Sequence, residues 1–337
     1  MKILLVTPFL NYSGGVESVN EILKMALEED GHIVDFLTSE MSTLKKWNPS
    51  SKLIGMPAKT AHAFKEIDNE KYDLVITNGE FSWGIDHPRT ICIFHGSYYG
   101  FRNSLKSFIS LREYLTLTWL SYIQKRASKG KIIVAVSSYI ENILDSQGIK
   151  VRRVIENSIN TNKYYPANNI KRKGYLFVGN YNKYGKGFDV LTDMVSMGVN
   201  IDCVTGGKPK ALSYPSGLVF LGSISHEEMP GIYQKYKILV FPSRFEASGL
   251  VALEAMSCGL PVVMTDVGIG QELKSNIPEF VVELSSNNLA NEFIQRMNII
   301  ESNYEYFSQL AREYVLKRHS YKQFKAEWKE CIGSVVC

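Results

Sequence analysis

The feature that most constrains the fold is a regular alternation of short apolar runs and amphipathic stretches. The chain starts with the apolar run KILLVT (2–7), passes a glycine-containing turn, and continues with apolar residues at helical spacing before it reaches HIVDFLTS (32–39). A strand, a helix and a second strand in so short a stretch form a βαβ unit. Short apolar strands that are joined by helices predict a parallel sheet with helices on both faces.

The same alternation occurs twice along the chain, on either side of a polar segment at 160–174 that has few apolar residues and a central proline and is typical of a linker. The other strand candidates of the first half are 73–78, 90–95, 131–137 and 152–158. The candidates of the second half are 175–180, 200–205, 218–223, 237–243, 260–265 and 279–284, with a helix near 187–197 and a helical tail over 288–333.

A chain of 337 residues is long enough for two domains. We therefore predict an α/β protein with two Rossmann-like βαβ domains that face each other across a cleft. The predicted bounds are 1–162 and 163–310, followed by a helical tail, 311–337, that crosses back to the first domain.

Composition and motif content argue against several classes of protein. A hydrophobic fraction of 45% allows each half a core, and a net charge of +4 does not demand a nucleic acid but allows a local basic patch. The five cysteines form no C-x-x-C pair, which favours reduced, mostly buried thiols. MKILLVTPF is too short for a signal peptide, and no run of about 18 apolar residues could span a membrane. We expect a cytosolic protein that at most contacts a membrane surface.

Two glycine-containing loops follow strands, where parallel sheets bind their ligands. Gly14 and Gly15 open the first helix, and a helix N-terminus attracts anions, although a plain turn capped by Ser13 explains them as well. In the second half, Gly179 ends a strand and Lys186 precedes a helix, with Lys183 nearby. A lysine at a helix N-terminus is unfavourable for the helix itself, so it indicates either a bound anion or a solvated loop.

The segment FPSRFEASGLVALEAMSCGLPVV (241–263) carries two glutamates eight residues apart. Glu246 stands at the start of a helix, where it could simply complement the helix dipole. Glu254 lies in an apolar run, where a carboxylate is costly unless it is satisfied. Carboxylates accept hydrogen bonds from hydroxyls, so the pair could hold a ribose and a sugar, and the helix start could hold phosphate.

This segment resembles the E-x7-E motif of the retaining GT4-type glycosyltransferases of the GT-B fold. SGGVESVNEILKMALEEDGHIVDFLT is similar to that family's N-terminal glycine loop, VGNYNKYGKGFDVL to its phosphate loop, and VIENSINTNKYYP to its interdomain segment. The resemblance implies a GT-B architecture with an N-terminal acceptor-binding domain and a C-terminal domain that binds a nucleotide-diphosphate sugar.

The resemblance also implies a role for each matching residue. Glu254 holds the ribose of the donor and Glu246 its sugar, while Lys186 neutralises the diphosphate. His95, in FHG after a strand of the first domain, matches a histidine close to the transferred sugar. The remaining donor-binding positions implied are Gly14, Gly15, Gly179, Asn180, Lys183, Ser248, Gly249 and Leu250.

The sequence departs from the family pattern at several positions. Asn180 stands where the family has an arginine, which removes one charge near the diphosphate; the other departures are 157–160, Ser248 and 268–272. The chain contains no D-x-D pair and no histidine spacing typical of a metal site, so we expect no metal and no other cofactor. The expected reaction transfers a hexose with retention to a hydroxyl of a cell-surface glycan or glycolipid precursor.

Three questions remain open at this point. The segment 101–131 has seven basic residues and one acid among apolar and aromatic residues, which fits either a helix on an anionic membrane or a core helix with a solvated basic face. A nucleotide-sugar 2-epimerase would share the fold but would need further acid and base carboxylates. A non-catalytic partner subunit would keep the fold without turnover, and Asn180 is the feature that favours it.

Overall fold

A computed structural model describes residues 1–7, 15–43, 54–167, 170–206 and 214–336. The chain forms two compact units, of which the first comprises Met1–Ser158 together with the segment from Lys322 onward, and the second Ile159–Tyr321. Compared with the sequence-based bounds, the boundary between the units falls a few residues earlier and the returning segment begins later.

The first unit is a six-stranded sheet flanked by helices. Its strands are β1 (Lys2–Val6), β2 (Ile33–Leu37), β3 (Leu74–Asn78), β4 (Thr90–Phe94), β5 (Ile132–Ala135) and β6 (Arg153–Val154). They lie in the order β2-β1-β3-β4-β5-β6, and every neighbouring pair is parallel. Its described helices are α1 (Gly15–Glu29), α2 (Met56–Glu66), α3 (Tyr98–Ser104), α4 (Leu111–Ala127) and α5 (Ser138–Ser146).

The second unit repeats this plan with a different strand order. Its strands are β7 (Tyr175–Val178), β8 (Ile201–Val204), β9 (Leu218–Gly222), β10 (Ile238–Phe241), β11 (Val262–Thr265) and β12 (Val281–Val282). The order is β12-β11-β10-β7-β8-β9, again with parallel neighbours. Its described helices are α6 (Phe188–Ser196), α7 (Met229–Tyr233), α8 (Leu250–Ser257), α9 (Gly270–Asn276), α10 (Leu289–Ser302) and α11 (Tyr304–Arg318).

All twelve apolar runs of the sequence form strands. The strands β3, β4, β10 and β11 are buried at every residue, because helices cover both faces of each sheet. A strand that is buried on both faces cannot alternate polar and apolar residues, which is why these segments read as continuous apolar runs. The predicted α/β fold with two Rossmann-like units is confirmed.

The helical tail has two breaks, at Asn303 and at 319–320. Its last helix, α12 (Tyr321–Val336), belongs to the first unit from Lys322 onward. There it buries Phe324 and Trp328, and the Lys325 ammonium lies 2.8 Å from a carboxylate oxygen of Glu29, at the end of α1. The C-terminal segment thus completes a unit that begins with the first strand.

Two smaller predictions concern the cysteines and the membrane. Cys92, Cys203, Cys258 and Cys331 are buried and free, as expected, while Cys337 lies outside the described residues. No helix in the described part of the chain is long and apolar enough to cross a membrane.

Candidate functional site

The strand order of the second sheet places two loops side by side. The chain builds β7, β8 and β9 in one direction and then returns to the other side of β7 to build β10. At such a switch point the loops that leave the carboxyl ends of the two central strands diverge and form a crevice, which is where open parallel sheets bind ligands. The loop after β7 carries Gly179 and Lys186, and the loop after β10 carries Glu246.

Lys186 and Glu246 meet at this switch point. The Nζ atom of Lys186 lies 2.5 Å from Oε1 of Glu246, and the two side chains are 29% and 13% exposed. The same ammonium lies 5.5 Å from the centre of the Phe241 ring. Two residues that the sequence assigned separately, from different loops, therefore form one charge-assisted hydrogen bond. Since an ammonium has three N–H donors, Lys186 can bond Glu246 and still offer donors to an anion.

Glycine allows the two loops to approach each other at backbone level. Gly187 caps the N-terminus of α6 with a positive φ of 72°. A Cβ atom at this position would lie 2.1 Å from the carbonyl oxygen of Pro242, so only glycine fits. The loop that carries Lys186 is therefore packed directly against the end of β10.

Arg244, for which the sequence analysis predicted no role, stabilises the same contact through its side chain. Its guanidinium group makes two parallel hydrogen bonds to Asp189, of 2.8 and 2.7 Å, and a third to the carbonyl oxygen of Tyr184. Its backbone N–H donates to the carbonyl oxygen of Gly185. Arg244 is only 7% exposed, so this fork is shielded from water and holds the phosphate-loop candidate rigidly.

Asn180 and Lys183 do not join the ion pair. Asn180 is exposed, and its side-chain oxygen packs against Gly206, where a Cβ would lie only 2.9 Å from it. The Lys183 ammonium lies 5.0 Å from the centre of the Tyr184 ring, and a hydrogen bond to Tyr184 raises the pKa of this lysine. The two lysines of the loop therefore have different partners.

The start of α8 is supported by the loop that follows β11. Gly249, with φ 89°, precedes Leu250, the first residue of the helix, and the buried Ser248 accepts a hydrogen bond at its carbonyl from the N–H of Ile269. A Cβ at Gly268 would lie 3.1 Å from Glu246. The first N–H groups of a helix have no acceptor within it, so this fixed helix start presents donors that an anion can use.

Glu254 lies on α8 and is held by tyrosines. The hydroxyl of Tyr233, from α7, donates a 2.8 Å hydrogen bond to Oε2 of Glu254, and the hydroxyl of Tyr164 also bonds this carboxylate. Burial raises the pKa of Glu254, while the tyrosine hydrogen bonds and the charges of His226 and Lys163 act in the opposite direction. Burial also raises the pKa of both tyrosines, so they remain protonated donors.

The first sheet has a neutral network at its switch point, between β1 and β3. Nδ2 of Asn78 donates to the carbonyl oxygen of Val6 over 2.9 Å, and since that oxygen can only accept, Oδ1 of Asn78 faces His95. His95 therefore donates from Nε2, at 2.8 Å. Burial lowers the pKa of His95 to about 4, so the imidazole is neutral at pH 7. Asn20 extends the network from Asn78 to Thr7.

Of the two glycines at the start of α1, the structure describes one. Gly15 is the exposed first residue of α1, whereas Gly14 lies outside the described residues.

A carboxylate that the sequence did not single out lies at the same edge of the first sheet. Glu80, two residues after β3, accepts a 2.7 Å hydrogen bond from the hydroxyl of Tyr98 and a 3.3 Å bond from Nε2 of Gln124. Burial raises its pKa. Its sequence signal was weak, because a single glutamate after a strand has no motif around it.

Two family models match the chain, one over each unit. Residues 13–163 match the model described as Glycosyltransferase Family 4, and residues 172–299 match Glycosyl transferases group 1. The chain belongs to the GT4-type glycosyltransferases of the GT-B fold. As a family member it is a glycosyltransferase, as the sequence predicted.

Similar proteins cover the chain almost completely. An uncharacterized glycosyltransferase of Methanocaldococcus jannaschii is 27% identical over 99% of this chain and 97% of its own length. Among solved structures, sucrose-phosphate synthase from Thermosynechococcus elongatus has a TM-score of 0.79 at 20% identity, covering 99% of this chain and 98% of that one. Anabaena HepE in complex with UDP and glucose has a TM-score of 0.69 at 18% identity, covering 99% and 100%. These structures share the GT-B fold with this chain.

Proposed function

We propose that the protein transfers a hexose, with retention, from a nucleotide-diphosphate sugar to a hydroxyl of a cell-surface glycan or glycolipid precursor, and that it needs no metal. The observation that carries the proposal is the contact between Lys186 and Glu246 at the switch point of the second sheet. One group suits a diphosphate and the other suits sugar hydroxyls, at the place where such sheets bind ligands. HepE, a structural neighbour, was solved with UDP and glucose.

Each charged group has a separate task in the proposed reaction. Lys186 donates to the diphosphate and stabilises the negative charge that grows on it as the glycosyl–phosphate bond breaks. Backbone N–H groups near Ser248, Gly249 and Leu250 hold phosphate at the start of α8. Glu246 accepts hydrogen bonds from hydroxyls of the sugar, and its bond to Lys186 keeps that ammonium in place.

Glu254 binds the ribose of the donor. Its carboxylate has two oxygens, and a pair of neighbouring hydroxyls can donate to them. The hydroxyl of Tyr233 donates to one oxygen and orients the group. A carboxylate that is already held by tyrosines loses little freedom when a ribose binds.

In the proposed step the acceptor oxygen attacks the anomeric carbon from the face that the phosphate leaves. The bond between this carbon and the phosphate oxygen breaks, and its electron pair stays on the phosphate. The departing phosphate takes the proton of the acceptor hydroxyl, so the products are a glycoside and a nucleoside diphosphate, and no enzymic base is required. The family resemblance implies that His95 lies near the transferred sugar, and its neutral ring could bond a sugar hydroxyl without adding a charge.

Asn180 favours the alternative of a non-catalytic subunit, since a charge near the diphosphate is missing. A nucleotide-sugar 2-epimerase is the other candidate on this fold. Incubation with a panel of nucleotide sugars in the presence of EDTA tests all three. We expect slow release of nucleoside diphosphate and free sugar, faster release with an acceptor, and an unchanged anomeric configuration by NMR. A 2-epimer of the donor sugar, or binding without release, would contradict the proposal, and a strict need for Mg²⁺ or Mn²⁺ would contradict its metal-free form.

A further inference from the structure

Helix α4 exposes its large apolar side chains to solvent. Leu111, Leu115, Trp119 and Tyr122 are 75, 59, 43 and 51% exposed. They recur at intervals of three to four residues and therefore share one face of the helix. The opposite face packs on the unit through Ser121, Ile123, Gln124 and Ala127. A helix on the surface of a globular unit normally directs polar residues outward, whereas the outward face of α4 carries large apolar side chains.

The exposed face is presented by a well-anchored helix. Ser110 and Glu113 form a capping box at the N-terminus, in which the Ser110 N–H donates to the Glu113 carboxylate over 2.8 Å. Toward the other end, Gln124 accepts from the N–H of Tyr98 and donates to the carbonyl oxygen of Gly96. The exposure of the apolar residues is therefore a property of a folded helix with both ends fixed.

The segment that contains α4 is strongly basic. Arg112, Arg126, Lys106, Lys125 and Lys129 are all exposed on α4 or in the segments that flank it. The carboxylate of Glu113, the one acid of the segment 101–131, is engaged by the cap at Ser110. Arg102 stacks on the rings of Tyr99 and Tyr114, at 5.0 and 4.9 Å from their centres.

We propose that this docking face, formed by Leu111, Leu115, Trp119 and Tyr122 and the five exposed basic residues, binds the surface of an anionic lipid bilayer. Apolar and aromatic side chains on one face of a helix enter the boundary between headgroups and acyl chains, while the lysines and arginines bind lipid phosphates. Of the two alternatives that the sequence left open, the proposal takes the membrane-surface helix, and it does not depend on the donor or on the chemistry of transfer.

The charge distribution favours a bilayer over a second copy of the chain. Two copies that met through this face would bring their five basic residues together, and like charges at an interface are costly. An anionic bilayer instead offers a continuous negative surface beside an apolar phase. Each lysine or arginine near such a surface strengthens binding about fivefold at physiological ionic strength, and the effect falls with added salt.

Vesicle sedimentation of the full chain tests the proposal. One set of vesicles is pure phosphatidylcholine, and the other contains about 30% phosphatidylglycerol to supply the negative surface potential. We expect binding to the anionic vesicles that decreases with salt, and much weaker binding to the neutral ones. The variant L111S/L115S/W119S should bind at least about tenfold less, because it loses the apolar insertion. The variant R112E/R126E should lose about fivefold or more for each site.

The matched control removes exposed apolar residues from the second unit. The variant M197S/I299S/L316S changes three comparably exposed side chains there and should bind anionic vesicles like the wild type. Circular dichroism shows whether each variant is folded. If the triple variant of α4 fails to fold, W119F provides a second readout: the blue shift of tryptophan emission on anionic vesicles should be lost while binding persists.

Three outcomes would overturn the proposal. Equal binding of neutral and anionic vesicles would remove the anionic surface as the determinant of binding, and equal binding of the docking-face variant and the wild type would remove this face as the site. A wild-type dimer in sedimentation equilibrium that L111S/L115S/W119S dissociates would assign the face to a second copy. If the protein binds no vesicles and its tryptophan emission does not shift, the proposal is wrong and the face is assigned to a protein partner.

Discussion

The two sheets have different polar groups at their switch points. The second sheet has a contact between two ions, Lys186 and Glu246, and the first has a chain of neutral hydrogen bonds from Thr7 through Asn20 and Asn78 to His95. Full charges bind a charged ligand strongly, whereas neutral donors and acceptors orient hydroxyls without competing for an anion. The difference agrees with the proposed division, in which the second unit binds the charged donor and the first unit binds the acceptor, and the following variants test this proposal.

We expect the largest effect from Lys186→Ala. The rate of transfer should fall about 100- to 1000-fold, as for the loss of one donor that stabilises a developing oxyanion. Steady-state kinetics with a nucleotide sugar and an acceptor measure it. Lys183→Ala is the matched control, since Lys183 is bound to Tyr184 instead, and it should change the rate little. Equal losses for both variants would mean that the loop does not distinguish its two lysines.

Glu246→Gln should separate turnover from nucleotide affinity. We expect turnover to fall about 100-fold, because the carboxylate that holds the sugar hydroxyls and positions Lys186 is lost. The affinity for a nucleoside diphosphate should stay the same or increase, because the substitution removes a negative charge next to the anion site. Calorimetry with the diphosphate and kinetics with the sugar donor give the two values. A parallel loss of both would contradict the separate roles.

Glu254→Gln should weaken the binding of nucleosides, mono- and diphosphates alike. A hydrogen bond to a charged group contributes about 1.5–3 kcal/mol, which corresponds to roughly tenfold to hundredfold in affinity. Tyr233→Phe serves as the graded comparison: it leaves the carboxylate but removes a donor to it, and the loss should be smaller. The ribose assignment fails if the variant binds nucleosides normally but discriminates against diphosphates.

Asn180→Arg should have a smaller effect, a gain of about fivefold in the affinity for a nucleoside diphosphate. Arginine can bind phosphate with two parallel donors, so the variant should tighten a nucleoside diphosphate more than a monophosphate. The monophosphate is thus the internal control of the titration. An equal gain for both ligands would indicate general attraction by one added charge.

The smallest effect concerns the pH dependence of stability. In the unfolded chain a histidine takes up a proton near pH 6.5, whereas the pKa of His95 in the fold is about 4. The stability from keeping this ring neutral is therefore fully present above pH 6.5 and is lost as the pH falls toward 4. Thermal unfolding between these values should show a steeper decline for the wild type than for His95→Gln, which can still donate to Asn78. Identical slopes would mean that His95 is not desolvated.

The sequence predicted the strands well and the contacts between them poorly. A continuous apolar run such as 238–241, which is too short for a helix and is followed by Pro242, predicts a strand buried on both faces, so length and flanking residues were sufficient. Lys186 and Glu246 were each recognised in a loop, but their contact depends on β7 lying next to β10. This strand order cannot be predicted from a local sequence pattern. The partners of Glu254 were missed for the same reason, since Tyr164 and Tyr233 are distant in the chain.

The orientation of α4 shows a second limit of sequence reasoning. Apolar residues occur on both of its sides, so their spacing alone does not reveal which side is buried. The structure buries Ile123 and Ala127 and leaves Leu111 and Leu115 in solvent. The hydrogen bonds of Gln124 to Tyr98 and Gly96, which follow β4, contribute to this orientation, and they form only once the sheet has folded.

The return of α12 to the first unit affects how the chain folds as it leaves the ribosome. The first unit lacks the helix that carries Phe324 and Trp328 until the whole second unit, Ile159–Tyr321, has been synthesised. At about 5–20 residues per second this interval lasts roughly ten to thirty seconds, during which the apolar surface that α12 later covers is open to water and to chaperones. Completion of the first unit is therefore a late event of biosynthesis, because α12 is synthesised only after the second unit.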